Sequence, residues 1–448
     1  MKISLIMPGR NNLRYAKWSY EAIQKNKGIH EVEICFADDA SSDGTWEWCQ
    51  EMIKQDPNFK AIRNDTGKRV GHTILYDRLV NEVCTNEIAM IWHCDMYLTP
   101  GALDAIEKYM YDKVHTDHAV GGWEYIPNKK RIVSLTRIEP PLHPPGVEKI
   151  IQDFGVEPEE FDEQGVLSFV NDIYRNREGE QSADFVKENE YFLKLKMTEG
   201  IFAPWAFWVD DFKEIGGHDP LYRPQSKEDS SIFNRFQLNG VKFIQTWDGF
   251  VYHMTCRGSR RNTADKAKNI YEDSPEWLAQ NKRSTRNFIR MWGTMVRHDI
   301  YMKPIIPHKY NIGIRLDNAA AWPDLLELLE PHCDNIYLDT GDSDLIKQYI
   351  ENEQPNTDFD LTQRIHQNVD KEDIDDNIII YVDGRNFNEQ DYHCISNIAD
   401  IISDSGEVGE FGISNMKLNI KNLDTFEHKL IHSDNSYLNS RFVESNNS

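Results

Sequence analysis

The chain has 448 residues, 40% hydrophobic and 11% aromatic, and carries 50 basic against 74 acidic side chains for a formal net charge of −24. Such a composition excludes a disordered chain, and the length allows one large domain with a smaller one. No apolar run approaches a membrane span, and the N-terminus enters a strand pattern without a signal peptide's charged and apolar regions, so a cytoplasmic protein is expected.

In chain order, Lys2 to Pro8 reads as a strand and Leu13 to Lys25 as a helix. Val32 to Ala37 reads as a second strand, ending in Asp38-Asp39-Ala-Ser-Ser-Asp43-Gly-Thr45, and Trp46 to Gln55 as a helix. After a loop, Asn64-Asp-Thr-Gly67-Lys-Arg69, helical spacing runs from His72 to Cys84. The apolar run Ile88 to Trp92 then suits a strand buried on both faces of a parallel sheet. It enters a polar turn, His93-Cys94-Asp95, and a helix follows from Gly101 to Tyr111. The turn falls at a carboxyl-end edge, where open α/β sheets bind ligands. A carboxylate and an imidazole two residues apart there suit a divalent cation, with Asp95 the surer ligand; the plain alternative is a surface turn.

Gly121 to Pro127 reads as a strand, and residues 128–196 give only a proline cluster, an acidic stretch and helices around Phe169 to Arg175 and Asp184 to Tyr191. Thr198 to Val209 suits a strand, Lys227-Glu228-Asp229 opens a helix, and Phe243 to Tyr252 is a strand running into His253. Acidic residues at a helix start interact favourably with its dipole, which is the structural alternative for Glu228 and Asp229. Residues 251–300 hold 10 basic and 5 acidic side chains, and a helix is expected from Glu276 to Asp299. The prolines near Lys303 to His308 mark a boundary between residues 1–300 and 301–448. Beyond it lie 11 basic and 28 acidic side chains. Strands are expected at Asn311 to Leu316, Asn335 to Leu338 and Asn377 to Val382, and helices at Pro323 to Leu329, Ser343 to Asn352 and Gln390 to Ile402, a small α/β unit. Val408 to Ile420 adds further strands. The seven cysteines, at 35, 49, 84, 94, 256, 333 and 394, form no Cys-x-x-Cys pair, so reduced thiols are expected and a structural zinc site is not.

A strand ending in Pro8, a strand ending in Asp38-Asp39 with Asp43-Gly-Thr, the Gly67-Lys-Arg69 loop and the Asp95 turn before Pro100-Gly101 occur in one order. That order resembles the family 2 glycosyltransferases of the GT-A fold. The resemblance implies an α/β GT-A domain over residues 1–300 and a metal-dependent, inverting transfer from a nucleotide diphosphate sugar, UDP-linked by preference, to an acceptor hydroxyl. By the family pattern Asp38 and Asp39 grip the base and ribose, with Pro8 and Asn11 beside them. Arg69 meets the uracil or diphosphate, or is an ordinary ion-pair partner. Asp95 and His253 hold Mn²⁺ or Mg²⁺, and Asp229 is the catalytic base, with Glu228 second. His93 stands where the family has its first aspartate, and ribose contact, metal ligand and neither remain open for it. Arg257, Arg260 and Arg261 suit a lid over the diphosphate or a solvated basic loop. In this fold the insertion at 128–196 lies over the acceptor. Residues 250–300 are also similar to glycosyltransferases of tailed bacteriophages and large DNA viruses, which implies a hydroxymethylated DNA base as acceptor beside a glycan. A nucleotide-sugar-binding protein without catalysis is the rival class.

Overall fold

A computed structural model describes residues 1–116, 122–178, 183–255, 273–322, 324–339 and 343–432. The first unit alternates strands and helices: β1 (Lys2–Gly9), α1 (Leu13–Asn26), β2 (Glu31–Asp38), α2 (Thr45–Gln55), β3 (Phe59–Arg63), α3 (His72–Arg78), β4 (Ile88–Ile91), β5 (Met96–Leu98) and α4 (Ala102–Met110). A hairpin, β6 (Tyr111–Thr116) and β7 (Gly122–Pro127), leads to β8 (Arg131–Glu139) and β9 (Lys149–Ile151). Helices α5 (Glu163–Arg177) and α6 (Ala183–Leu193) precede β10 (Met197–Thr198), β11 (Trp205–Trp208), α7 (Val209–Glu214), α8 (Glu228–Leu238), β12 (Lys242–His253) and α9 (Pro275–Trp292).

These strands form one mixed sheet in the order β10-β12-β8-β11-β4-β1-β2-β3, with β5 on β12 and β9 on β8. β4, β1, β2 and β3 run parallel. The fully parallel setting expected for the Ile88 strand holds on one side only, because its other neighbour, β11, is antiparallel. Its four residues are buried all the same, since helices cover both faces of the sheet whatever the strand direction. Several expected elements are shorter or divided. The helix from His72 passes at Leu79–Val83 into a π turn, a recurrent irregularity at functional sites. Of the apolar run from Thr198 to Val209 only Trp205–Trp208 forms a strand of its own, Thr198 being the end of β10, and the helix from Glu276 ends at Trp292 because Gly293 takes φ +73°, a left-handed cap. The Gln390–Ile402 run breaks at Asn397 into two helices. Strand β8 falls in the segment that the sequence left unread, yet it pairs with β12 on one side and β11 on the other.

The second unit comprises β13 (Ile312–Asp317), α10 (Leu325–Leu329), β14 (Asn335–Leu338), α11 (Ser343–Glu353), α12 (Leu361–Arg364), β15 (Ile365–Gln367), β16 (Ile378–Asp383), α13 (Glu389–Ser396), α14 (Ile398–Ser405), β17 (Gly409–Ile413) and β18 (Met416–Ile420). Its sheet, β15-β14-β13-β16-β18-β17, is parallel across the first four strands and antiparallel at the β18–β17 edge. It has its own apolar core. A third cluster, Leu221, Tyr222, Phe288, Met291, Trp292, Phe359 and Leu430, draws residues from both units.

Beside that cluster lies a buried ionic knot. Arg290 of α9 reaches Glu330 at 2.7 Å and Glu353 at 2.7 Å, Arg364 reaches Glu330 at 2.7 Å, and the Tyr349 hydroxyl donates to Glu330 at 2.8 Å. Arg290 and Glu330 are both fully buried, so each charge depends on its partners in place of water. The knot fastens α9 of the first unit to the second.

Candidate active site

The carboxyl ends of β1, β2 and β4 lie side by side: Gly9 is in register with Asp38, and the Trp92 amide donates to the Ile6 carbonyl. This edge gathers the turn after each strand. At the end of β2, Asp39 accepts from Asn64 Nδ2 at 2.7 Å, from the Val70 amide at 3.0 Å and from the Gly71 amide at 2.9 Å. Both its oxygens therefore hold the 64–71 loop in place. Asp38 accepts from the Ser41 amide at 3.2 Å, and Arg63 Nε lies 3.2 Å from its second oxygen. Asn11, at φ 52°, donates its amide to Ser41 Oγ and accepts from the Ser42 amide at 2.8 Å. Pro8 lies on β1 one residue from its end, its carbonyl near Cys94 Sγ. Arg69 donates to Gln225 Oε1 at 2.6 Å, which ties the loop to the approach to α8. That tie is reinforced at Gly71, whose φ is +88° and where a Cβ would meet the Pro224 carbonyl oxygen at 2.1 Å. Arg257 and Arg260 lie outside the described residues.

The turn after β4 supplies His93 and Asp95, and strand pairing brings in His253. Within β5 and β12, Met96 is in register with His253, and the Met254 amide donates to the Asp95 carbonyl. Ligand atoms of His93, Asp95 and His253 all lie within 4.8 Å of one another. His253 Nε2 is 3.5 Å from Asp95 Oδ1. Its other ring nitrogen, Nδ1, is 2.9 Å from Glu139 Oε1. Burial works to lower the His253 pKa, but Asp95 and Glu139 outweigh it and raise it to about 9. For His93 burial outweighs the charge of Asp95 and lowers it to about 4, so it stays neutral with a lone pair to offer. One carboxylate and two imidazoles are donors suited to a borderline divalent ion such as Mn²⁺. The donor set thus fits a cation, and it includes His93, whose role the sequence left open.

Facing this group is the start of α8. Ser226 and Lys227 precede it with φ of 77° and 70°, conformations that cost non-glycine residues about 1–3 kcal/mol each and cluster at working sites. Ser226 Oγ donates to Asn281 Oδ1 at 2.8 Å and Lys227 Nζ reaches it at 3.1 Å, so α9 holds the bend. Glu228 is buried, with His72 Nε2 at 2.6 Å. Burial disfavours its charge, yet His72 lowers its pKa overall. Asp229 has no cationic contact of that kind; burial and the Glu228 charge push it up to about 6. The pair is thereby split into a committed anion and a group poised to exchange a proton near neutrality. Tyr76 of α3 lies between the two sides: after burial, the charges of Asp229, Cys94, Glu228 and Asp95 all raise its pKa. The charges of Asp229 and Asp95 are thus both felt at Tyr76, a buried side chain.

Sequence reasoning missed Glu139. Its signal was present in the apolar run Arg131–Glu139, which is strand-like and ends in a charge. It missed His72 as a partner of Glu228 as well, because the two lie 156 positions apart.

The sequence model of glycosyl transferase family 2 matches residues 4–176. The match lays a glycosyltransferase sequence pattern over those residues, which are less than half of the chain. The matched stretch covers the edge from β1 to the His93–Asp95 turn and β8; Glu228, Asp229 and His253 lie beyond it. With its mixed sheet and added C-terminal unit, the chain has the α/β GT-A class expected from its sequence. No curated protein matches the chain. Among solved structures, the mannosyltransferase PcManGT from Pyrobaculum calidifontis in complex with GDP-Man and Mn²⁺ is 14% identical with a TM-score of 0.36, over 57% of either chain. GalNAc-T7 with UDP, GalNAc and Mn²⁺ is 13% identical with a TM-score of 0.40, over 65% of this chain and 48% of that one. S. aureus TarS 1-349 in complex with UDP-GlcNAc is 12% identical with a TM-score of 0.35, over 65% of this chain and 81% of that one. The chain thus spans about half the length of the first two. Among the described residues no helix is long and apolar enough to cross a membrane.

Proposed function

We propose that the transferase moves a sugar, with inversion, from a nucleoside diphosphate sugar to an acceptor hydroxyl, using a divalent cation held by His93, Asp95 and His253. The observation that carries this reading is the convergence of those three side chains at the carboxyl edge of the parallel strands; the raised Asp229 carboxyl, whose charge reaches Tyr76 together with that of Asp95, supports it. When bound, the cation supplies positive charge against the departing diphosphate. Two imidazoles in the donor set favour Mn²⁺ over Mg²⁺. Asp229 takes the proton of the attacking hydroxyl as its oxygen bonds to the anomeric carbon, and Glu228 holds His72 beside it. Asp38 and the loop that Asp39 braces are the base and ribose side, with Pro8 and Asn11 at its floor, and Arg69 stands toward the diphosphate. A UDP sugar is the preferred donor. Residues 1–300 form the catalytic domain and 301–448 an accessory domain. The thiols of Cys35, Cys49, Cys84, Cys94, Cys333 and Cys394 are free, which suits a reducing, cytoplasmic setting.

The test is release of nucleoside diphosphate from a panel of UDP, GDP and TDP sugars with Mn²⁺, with Asp229→Asn as control. Hydroxymethylated DNA and glycans follow as acceptors, the former motivated by the basic balance of residues 251–300 and its resemblance to viral enzymes. Binding of a donor without turnover on any acceptor would favour a catalytically silent binder instead.

A further inference from the structure

We propose that Glu139 is the positioning residue of the cation site, holding the His253 ring by Nδ1 so that Nε2 alone is presented to the ion. The proposal rests on the cation reading above and extends it to a residue that touches neither metal nor substrate.

Strand pairing brings the two together. β12 runs parallel to β8 with Tyr252 in register with Ile138, so the next residue on each strand, His253 and Glu139, are neighbours. Glu139 Oε1 lies 2.9 Å from His253 Nδ1 and 2.9 Å from Arg137 Nη1, and Oε2 lies 3.1 Å from Lys149 Nζ. A carboxylate that is 1% exposed must be paired to remain charged, and Arg137 and Lys149 supply that pairing. They also anchor the carboxylate on the far side of the imidazole, which keeps it an orienting group and not a fourth ligand. Once neutral, as a metal ligand must be, a ring that donates Nδ1–H to a carboxylate has its lone pair on Nε2, the nitrogen facing Asp95 and within reach of His93. Such a partner fixes tautomer and ring angle and raises ligand basicity, and its loss typically costs about 10–100-fold in metal affinity.

The competing account makes Glu139 only a counter-ion for Arg137 and Lys149, in which case its charge matters to folding and not to the ion. Mn²⁺ titration of the purified full chain, followed by the electron paramagnetic resonance signal of free Mn²⁺, separates the two. Glu139→Gln is expected to weaken Mn²⁺ binding by about tenfold or more, with far-ultraviolet circular dichroism unchanged, and His253→Ala to weaken it at least as much. Mn²⁺ affinity of Glu139→Gln within twofold of wild type, while His253→Ala loses it, overturns the proposal and leaves the cation reading intact. Normal binding by His253→Ala overturns the cation reading, and the proposal with it. A measurement that needs no substitution guards against a variant that fails to fold. In wild-type protein loaded with diamagnetic Zn²⁺, long-range ¹⁵N–¹H spectra are expected to show the His253 proton on Nδ1. A proton on Nε2 overturns the proposal.

Discussion

Replacing Glu330 by glutamine removes one negative charge from the knot between the two units. Glu330 is fully buried and accepts from Arg290, Arg364 and Tyr349, with Arg286 3.7 Å away. In the variant, Arg290 keeps Glu353 while Arg364 keeps only carbonyl acceptors. Removing one partner of a buried pair costs about 3–5 kcal/mol, and the low end applies because glutamine retains an acceptor oxygen. With a urea m-value of about 3 kcal/mol/M, the midpoint should fall by about 1 M. The assay is urea unfolding followed by tryptophan fluorescence. The sign with pH is also fixed. Burial opposes the Glu330 charge, but Arg290 and Arg364 overcome it and hold its pKa well below the usual range. The wild-type advantage is therefore fully present above the unfolded value of about 4.3 and is lost as pH falls through the depressed folded value. A midpoint shift under about 0.3 M at pH 7, or an advantage that persists undiminished into strong acid, would refute the reasoning.

Asp229→Asn should lower kcat about 10²–10⁴-fold while donor binding persists, measured by turnover and by calorimetric titration of nucleoside diphosphate. With Asp229 titrating near 6, kcat/KM should drop tenfold per pH unit below about 6 as the base becomes protonated, and a flat profile down to pH 5 would exclude it from that role. Chelation with EDTA should abolish turnover and Mn²⁺ should restore it more effectively than Mg²⁺, as read by diphosphate release; full activity in EDTA would remove the cation from the reaction. Gly71→Ala places a methyl against the Pro224 carbonyl at a positive φ, so donor KM should rise and the melting temperature fall, whereas unchanged kinetics would mean that the 64–71 loop does not shape the site.

Short-range chemistry was legible in the sequence where one element carried its own signal. The strands ending at Gly9 and Asp38 and the helix opened by Glu228 needed only local apolar patterns and polar ends. Pairing across the sheet was not legible. β8 could not be placed because its partners, β11 and β12, lie about 70 and 110 residues away in sequence, and with it went Glu139. His93 was ambiguous because it stands where the family has an aspartate; the β5–β12 register, which sets His253 beside the 93–95 turn, is what brings its ring into the same group as Asp95 and His253. The sequence assigned Asp39 by motif to ligand contact, and its three hydrogen bonds to residues 64–71 are a tertiary fact that no local pattern encodes.

Arg69 on Gln225, Gly71 against Pro224, Thr73 on the Pro224 carbonyl and His72 on Glu228 stitch the segment after β3 to the one ahead of α8. In the reaction proposed above, recognition of the incoming nucleotide and removal of the acceptor's proton fall to two segments that these contacts lock together. On that reading, altering residues 64–73 to exchange the donor preference would disturb the reactivity of Asp229 as well, so the two traits must be changed together or not at all.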